Sequence, residues 1–101
     1  EELVTFAMLQ RLDAPAMGRL LRDVDNAVLV DALKGLNDDE RNPFFAAMSS
    51  RAADGVREEI EARGRVPKAD VDRARRTLVT TARALADAGE IVFGDGDDRY
   101  L

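Results

Sequence analysis

Apolar residues return along this chain at helical spacing, and the clearest stretch runs from Ser49 to Gly64. Turning about 100° per residue, Ala53, Val56 and Ile60 fall on one narrow stripe, while Arg51, Asp54, Glu58 and Glu61 gather on the opposite face with Glu59 at its shoulder. Ser49 or Ser50 offers an oxygen to the first free amides, and Gly64 suits the left-handed turn just past the last helical residue. The pattern predicts a helix that docks by one side and shows charge on the other.

The same reading divides the rest of the chain into further helices. Leu3, Phe6, Leu9 and Leu12 recur at three-residue steps, a short helix within 1–12 that Asp13 interrupts. Asp13-Ala14-Pro15 is a start signal, followed by Met17, Leu20, Leu21 and Val24 at i, i+3, i+4, i+7. Asp25 or Asn26 caps a third helix whose Leu29, Ala32 and Leu33 face inward, with Gly35 stopping it straight after Lys34. Asn37-Asp38-Asp39-Glu40 has the spacing of a capping box for a fourth helix, and Pro43 then predicts a kink or a restart at Asn42. Phe44, Phe45 and Met48 are the bulkiest apolar group and read as core.

After Gly64, Arg65-Val66-Pro67 makes an extended step, because the residue before proline is pushed away from helix. A long helix over 68–88 follows, with Val71, Ala74, Leu78, Ala82 and Leu85 on one stripe and Arg73, Arg76 and Arg83 opposite, and Gly89 ends it. Glu90-Ile91-Val92-Phe93 is too short and isolated for a sheet and reads as an extended strap on the helices. The expected architecture is all-α: a compact bundle of about five to six helices with a short extended C-terminal strap. One domain covers 1–101, with a lead-in over 1–6, the helical domain over 7–93 and a flexible tail over 94–101. The Asp–Gly alternation of that tail lacks the spaced acids and closing glutamate of a calcium loop.

Composition narrows the function classes. With 0 His and 0 Cys the chain has no thiol nucleophile, no imidazole and none of the usual zinc ligands. A net charge of -5 argues against a nucleic-acid footprint. No apolar run approaches the roughly 20 residues of a membrane span, and no secretory signal opens at Glu1, so a soluble cytosolic domain is expected. There is no glycine-rich phosphate loop and no nucleophile with a base beside it. Glu58 and Glu59 would serve poorly as a catalytic pair, since neighbours on a helix diverge by about 100°. No enzyme, metal, cofactor or small-molecule substrate is expected.

Ala32-Leu33-Lys34-Gly35, then Met48-Ser49-Ser50-Arg51-Ala52-Ala53, then Arg63-Gly64 and finally Gly89-Glu90-Ile91-Val92 resemble, in order and spacing, the C-terminal domain of the flagellar motor switch protein FliG. The likeness spans nearly the whole chain, and four separated motifs keep their register without a gap. It implies a helical cap at the rotor rim of the bacterial flagellar motor, peripheral at the cytoplasmic face of the inner membrane. In that family a charged helix interacts with the cytoplasmic loop of the stator protein MotA to generate torque and contribute to direction switching. FliM and neighbouring FliG copies are the other implied partners, with the full-length protein in a ring.

Carried over position by position, the torque-associated charges fall on Lys34, Arg51, Glu58 and Glu59. A fifth is displaced: where the family usually reads Gly-Pro-Val-Arg this chain reads Gly64-Arg65-Val66-Pro67, leaving Lys68 as the nearest cation. The family's Met-Phe-x-Phe hinge corresponds to Leu3-Val4-Thr5-Phe6, of which Phe6 is kept. Gly55 and Pro43 stand where the family has a large aliphatic residue and a charged helix former, as in a divergent homologue or a second copy. Bland roles stand beside these. Lys34 in a last helical turn also suits the helix dipole, and Arg51 with Asp54 or Glu58 makes an ordinary surface pair worth ~0.2–0.5 kcal/mol. The competing function is a static helical adaptor or regulatory domain, such as the FliG-like module of magnesium transporters.

Charged faces without a continuous apolar seam predict a helical monomer for the isolated chain. Circular dichroism should be dominated by helix, and light scattering at micromolar concentration should give the monomer mass; a stable dimer would contradict the pattern.

Overall fold

The computed structural model describes residues 4–93, which form α1 (Phe6–Leu9), α2 (Ala14–Arg22), α3 (Asn26–Leu33), α4 (Asp38–Ala46), α5 (Ser50–Arg63) and α6 (Lys68–Asp87). Leu3 and the acidic tail over 94–101 lie outside the described residues. Among the described residues there is no strand, so the expected all-α bundle is what forms.

Side chains cap α1, α2, α4 and α5, whereas Asp25 stands at the start of α3 without a side-chain cap bond and Pro67 at that of α6. Asp13 accepts from the Ala16 amide at 2.8 Å, Ser49 from the Ala52 amide at 3.1 Å, and Asn37 and Glu40 exchange both bonds of a capping box. Each of these satisfies an amide that the helix itself leaves free. Helix α6 closes in a Schellman motif: the Glu90 amide donates to the Leu85 carbonyl at 2.8 Å and Gly89, at φ 79, donates to Ala86 at 3.0 Å. The chain then leaves as the expected strap, with Ile91 buried, Val92 exposed and Phe93 half-buried against the core. Arg19 ties it to α2 through Glu90 at 2.8 Å.

Two boundaries differ from the sequence expectation, and at Pro43 one of the two alternatives it left open drops out. The first helix is confined to four residues, because Thr5 is extended and its hydroxyl accepts from the Met8 amide, so the helix begins only after it. Leu12 still reaches the core from the turn that follows. Pro43 sits inside α4 and no restart at Asn42 occurs. The bond that Pro43 forgoes would have gone to the Asp39 carbonyl in the exposed first turns, where water can satisfy it. Lys34 lies outside α3 rather than in its last turn: with φ -62 and ψ 138, and Gly35 at φ 85, it makes the first corner of a type II turn closed by the Leu36 amide on the Leu33 carbonyl at 3.2 Å.

The core is aliphatic with one deep ring. Phe44, Leu9, Met17, Leu20, Leu33, Leu78 and Val30 are the largest fully buried side chains. Helix α3 contributes Leu29, Val30, Ala32 and Leu33 and packs along α6 and against α5, while α1 and α2 rest on α6 and α4 on α2. No charged or polar residue among those described is buried. Helix α3 is therefore the main support through which α5 joins the bundle.

The glycines give a paired test. A methyl at Gly55 would meet nothing within 4 Å, so Gly55→Ala should stabilise by roughly 0.5–1 kcal/mol through the better helix former. Gly35 is at φ 85, and Gly35→Ala should destabilise by about 1–2 kcal/mol. Urea unfolding of both variants measures the opposite signs.

Candidate functional site

Helix α5 owes its exposure to how little of it is apolar. Ala53, Val56 and Ile60 are its buried residues, and every other position from Ser50 to Arg63 is exposed. The stripe read from the sequence is thus the whole of its docking surface. Arg51 and Glu58 stand in the solvent with no ion pair or side-chain hydrogen bond among the described residues. Asp54 pairs with Arg57 at 3.1 Å rather than with Arg51, and the Arg57 guanidinium lies 4.4 Å from the centre of the Phe45 ring on α4. Glu59 accepts a hydrogen bond from the side-chain amide of Asn26, at the start of α3. Arg63 reaches Asp31.

The remaining charges named from the sequence are placed differently. Lys34 is half-buried, and its ammonium donates to the Ile60 carbonyl in the last turn of α5 at 3.0 Å. Lys68 is exposed and paired with Asp72 one turn along α6 at 2.9 Å. Lys34 and Lys68 are brought together, with Gly35, Arg65 and Arg75, around an open cavity of about 440 Å³. Glu58 instead lines a smaller hollow with Arg41 and Arg57, of about 290 Å³. Glu59 and Gly55 edge an apolar groove of about 580 Å³ formed with Leu21, Leu29, Met48 and Val56. Phe6 is no free lead-in residue; its ring stacks on Phe44 with centres 5.8 Å apart.

Two arginines that the sequence reading passed over hold the support of α5. Arg75 donates from Nε to the Ala32 carbonyl at 2.9 Å and from Nη2 to the Lys34 carbonyl at 2.7 Å. Arg41 donates from Nε to the Leu33 carbonyl at 3.0 Å. Both place positive charge on carbonyls at and just past the end of α3, the negative pole of that helix. A signal existed: Arg75 follows the buried Ala74 and lies four residues after Val71, at the margin of the inward stripe, whereas Arg73 and Arg76 are exposed.

Among the described residues no group of three or more acids could hold a metal ion. The arrangement is suited to recognition by charge. Exposed pairs attract at long range and bind weakly, which allows contacts to form and release quickly.

Comparison with known proteins follows the same outline. The family model described as the FliG C-terminal domain matches residues 1–93. The flagellar motor switch protein FliG of Vibrio cholerae is 38% identical over 99 residues, covering 98% of this chain and 28% of the relative. That of Bradyrhizobium diazoefficiens is 44% identical over 91 residues, covering 90% of this chain and 28% of the relative. A crystal structure of FliG from H. pylori superposes with a TM-score of 0.84 at 36% identity, covering 89% of this chain and 40% of that one. Full-length FliG from Aquifex aeolicus gives 0.79 at 34% identity, over 84% of this chain and 26% of that one. The chain therefore spans 28% of the length of the first two curated relatives it matches.

The Lys68 pair makes a pH-dependent prediction. The hydrogen bond from Lys68 is the main cause that holds the Asp72 carboxyl below the ordinary aspartate value, with Arg75 and Arg76 adding smaller attraction. A lowered folded-state value means that the contribution is present above the unfolded aspartate value and is lost as pH falls through the folded one. An NMR titration should place Asp72 below ordinary aspartates, and Lys68→Ala should move its midpoint up; an unmoved midpoint would show that the pair does not persist in solution.

Proposed function

Because the chain belongs to the FliG C-terminal domain family, we propose that it is a rotor component of a bacterial flagellar motor switch, and that the exposed face of α5 is where it meets a stator. The family is one of motor switch proteins and not of enzymes. The observation that carries the reading is that Ala53, Val56 and Ile60 are the only buried residues of α5, with its charged side chains all exposed. Arg51, Glu58 and Glu59 are the residues proposed to act at a cytoplasmic loop of MotA. Lys68 and Lys34 lie beside a separate cavity, and the exposed Lys68 is proposed to meet the same kind of partner. FliM and neighbouring FliG copies are proposed as the further partners within a ring.

No helix among the described residues is long and apolar enough to cross a membrane, and a peripheral place at the inner-membrane basal body is proposed from the family alone. Phe6, stacked on Phe44, is proposed to move with the helical domain as part of one cap.

Sign reversal tests the reading. In a strain that depends on this protein, Arg51→Glu or Glu59→Lys should impair motility or switching, while thermal stability changes by no more than about 0.5 kcal/mol for Arg51 and about 1 kcal/mol for Glu59, which also loses Asn26. Reversing a partner charge on the stator should restore part of the rotation. Full motility in both variants at normal protein levels would leave the static adaptor reading ahead.

A further inference from the structure

Helix α5 ends at Gly64, and its last four carbonyls have no partner within the helix. The Gly64 amide takes the Glu61 carbonyl at 3.2 Å, and the Ile60 carbonyl is taken by the Lys34 ammonium at 3.0 Å. Lys34 is itself held. Its backbone forms the corner of the turn before Gly35, and its carbonyl accepts from Arg75 at 2.7 Å while the same guanidinium binds Ala32 at 2.9 Å. Arg75 also lies over the Phe6 ring, 5.3 Å from its centre. A continuous set of contacts thus runs from Phe6 through Arg75 and Lys34 to the last turn of α5.

We propose that Lys34 and Arg75 are positioning residues that fix how the charged face of α5 is aimed, Arg75 by clamping the end of α3 and Lys34 by tying the end of α5 to that clamp. The inference rests on the reading of α5 as the docking face. It gives Lys34 a different role from that of a stator-facing charge: its cation serves the negative pole of α5, in a half-buried place where salt screens it less than an exposed pair. Arg75 is suited to the task because its planar fork spans two carbonyls at once, which a single ammonium does not. Helix α5 is supported mainly by α3, so a loosened α3 end changes the direction of the face while its three apolar anchors stay buried.

The test separates aim from contact. In the 101-residue chain, residual dipolar couplings of α5 amides relative to those of α6 should change in Lys34→Met and in Arg75→Lys, and remain near the parent values in Lys34→Arg. The carbonyl carbon shift of Ile60 should move in Lys34→Met and be largely kept in Lys34→Arg. Without any substitution, the Lys34 ammonium protons should exchange more slowly than those of Lys68, which keeps the test informative if a variant fails to fold. In the complete protein, Lys34→Met and Arg75→Lys should lose swarming that Lys34→Arg retains, and no single charge reversal on the stator should restore Lys34→Glu. Unchanged couplings and an unchanged Ile60 shift in Lys34→Met, or rapid exchange of the Lys34 ammonium in the parent chain, would overturn the proposal. So would rescue of Lys34→Glu by a reversed stator charge, since that would make Lys34 a contact. If the couplings move as expected while Arg51→Glu and Glu59→Lys swim normally, the docking reading fails and the positioning of α5 stands.

Discussion

A helix that ends inside a small bundle must find donors for its last carbonyls, and the end of α3 is where this fold meets that demand. These groups are only partly covered once α5 and α6 pack beside them, and a carbonyl withdrawn from water without a donor is costly. The chain answers with cations brought from other helices: Arg41 from α4, Arg75 from α6, and Lys34 passing the same service on to α5. Long side chains suit the place, because their stems lie along apolar surface while their charged ends remain only partly covered. The interior keeps an aliphatic character, with no buried charged or polar residue among those described.

Much of this architecture was legible in the sequence, and the legible part has a common physical cause. Asp13, Asn37 and Ser49 start helices, and Gly35, Gly64 and Gly89 supply positive φ where chains turn away. These are local devices whose partners lie within a few residues. The details that were misjudged or left open depend on context. Pro43 was tolerated because the carbonyl it leaves behind is exposed, and Thr5 shortened the first helix by competing for its amides. Lys34 looked like the end of a helix but proved to be the corner of a turn, a matter of one residue that redirects its whole side chain.

The candidate site divides along the same line. The apolar stripe of α5 foretold which of its residues would be exposed, so Arg51, Glu58 and Glu59 could be named from spacing and family register. What each charge touches could not. Arg57 finds Phe45, Glu59 finds Asn26 and Lys34 finds Ile60 across long intervals of chain. Arg41 and Arg75 were harder still, because a carbonyl has no letter of its own: each residue carries one, so no residue type at one end announces the arginine at the other.

The narrow anchoring of α5 also bears on how such a surface changes over generations. Ala53, Val56 and Ile60 carry its packing, and the outward positions contribute little to whether the chain folds. Substitutions there are accordingly screened by the partner far more than by the core, and a pair of interacting proteins can drift together, exchanging acid for base on both sides, while the scaffold stays the same. Two lineages could then keep superposable helices and yet fail to work with one another's partners, a form of incompatibility that backbone similarity alone would not disclose.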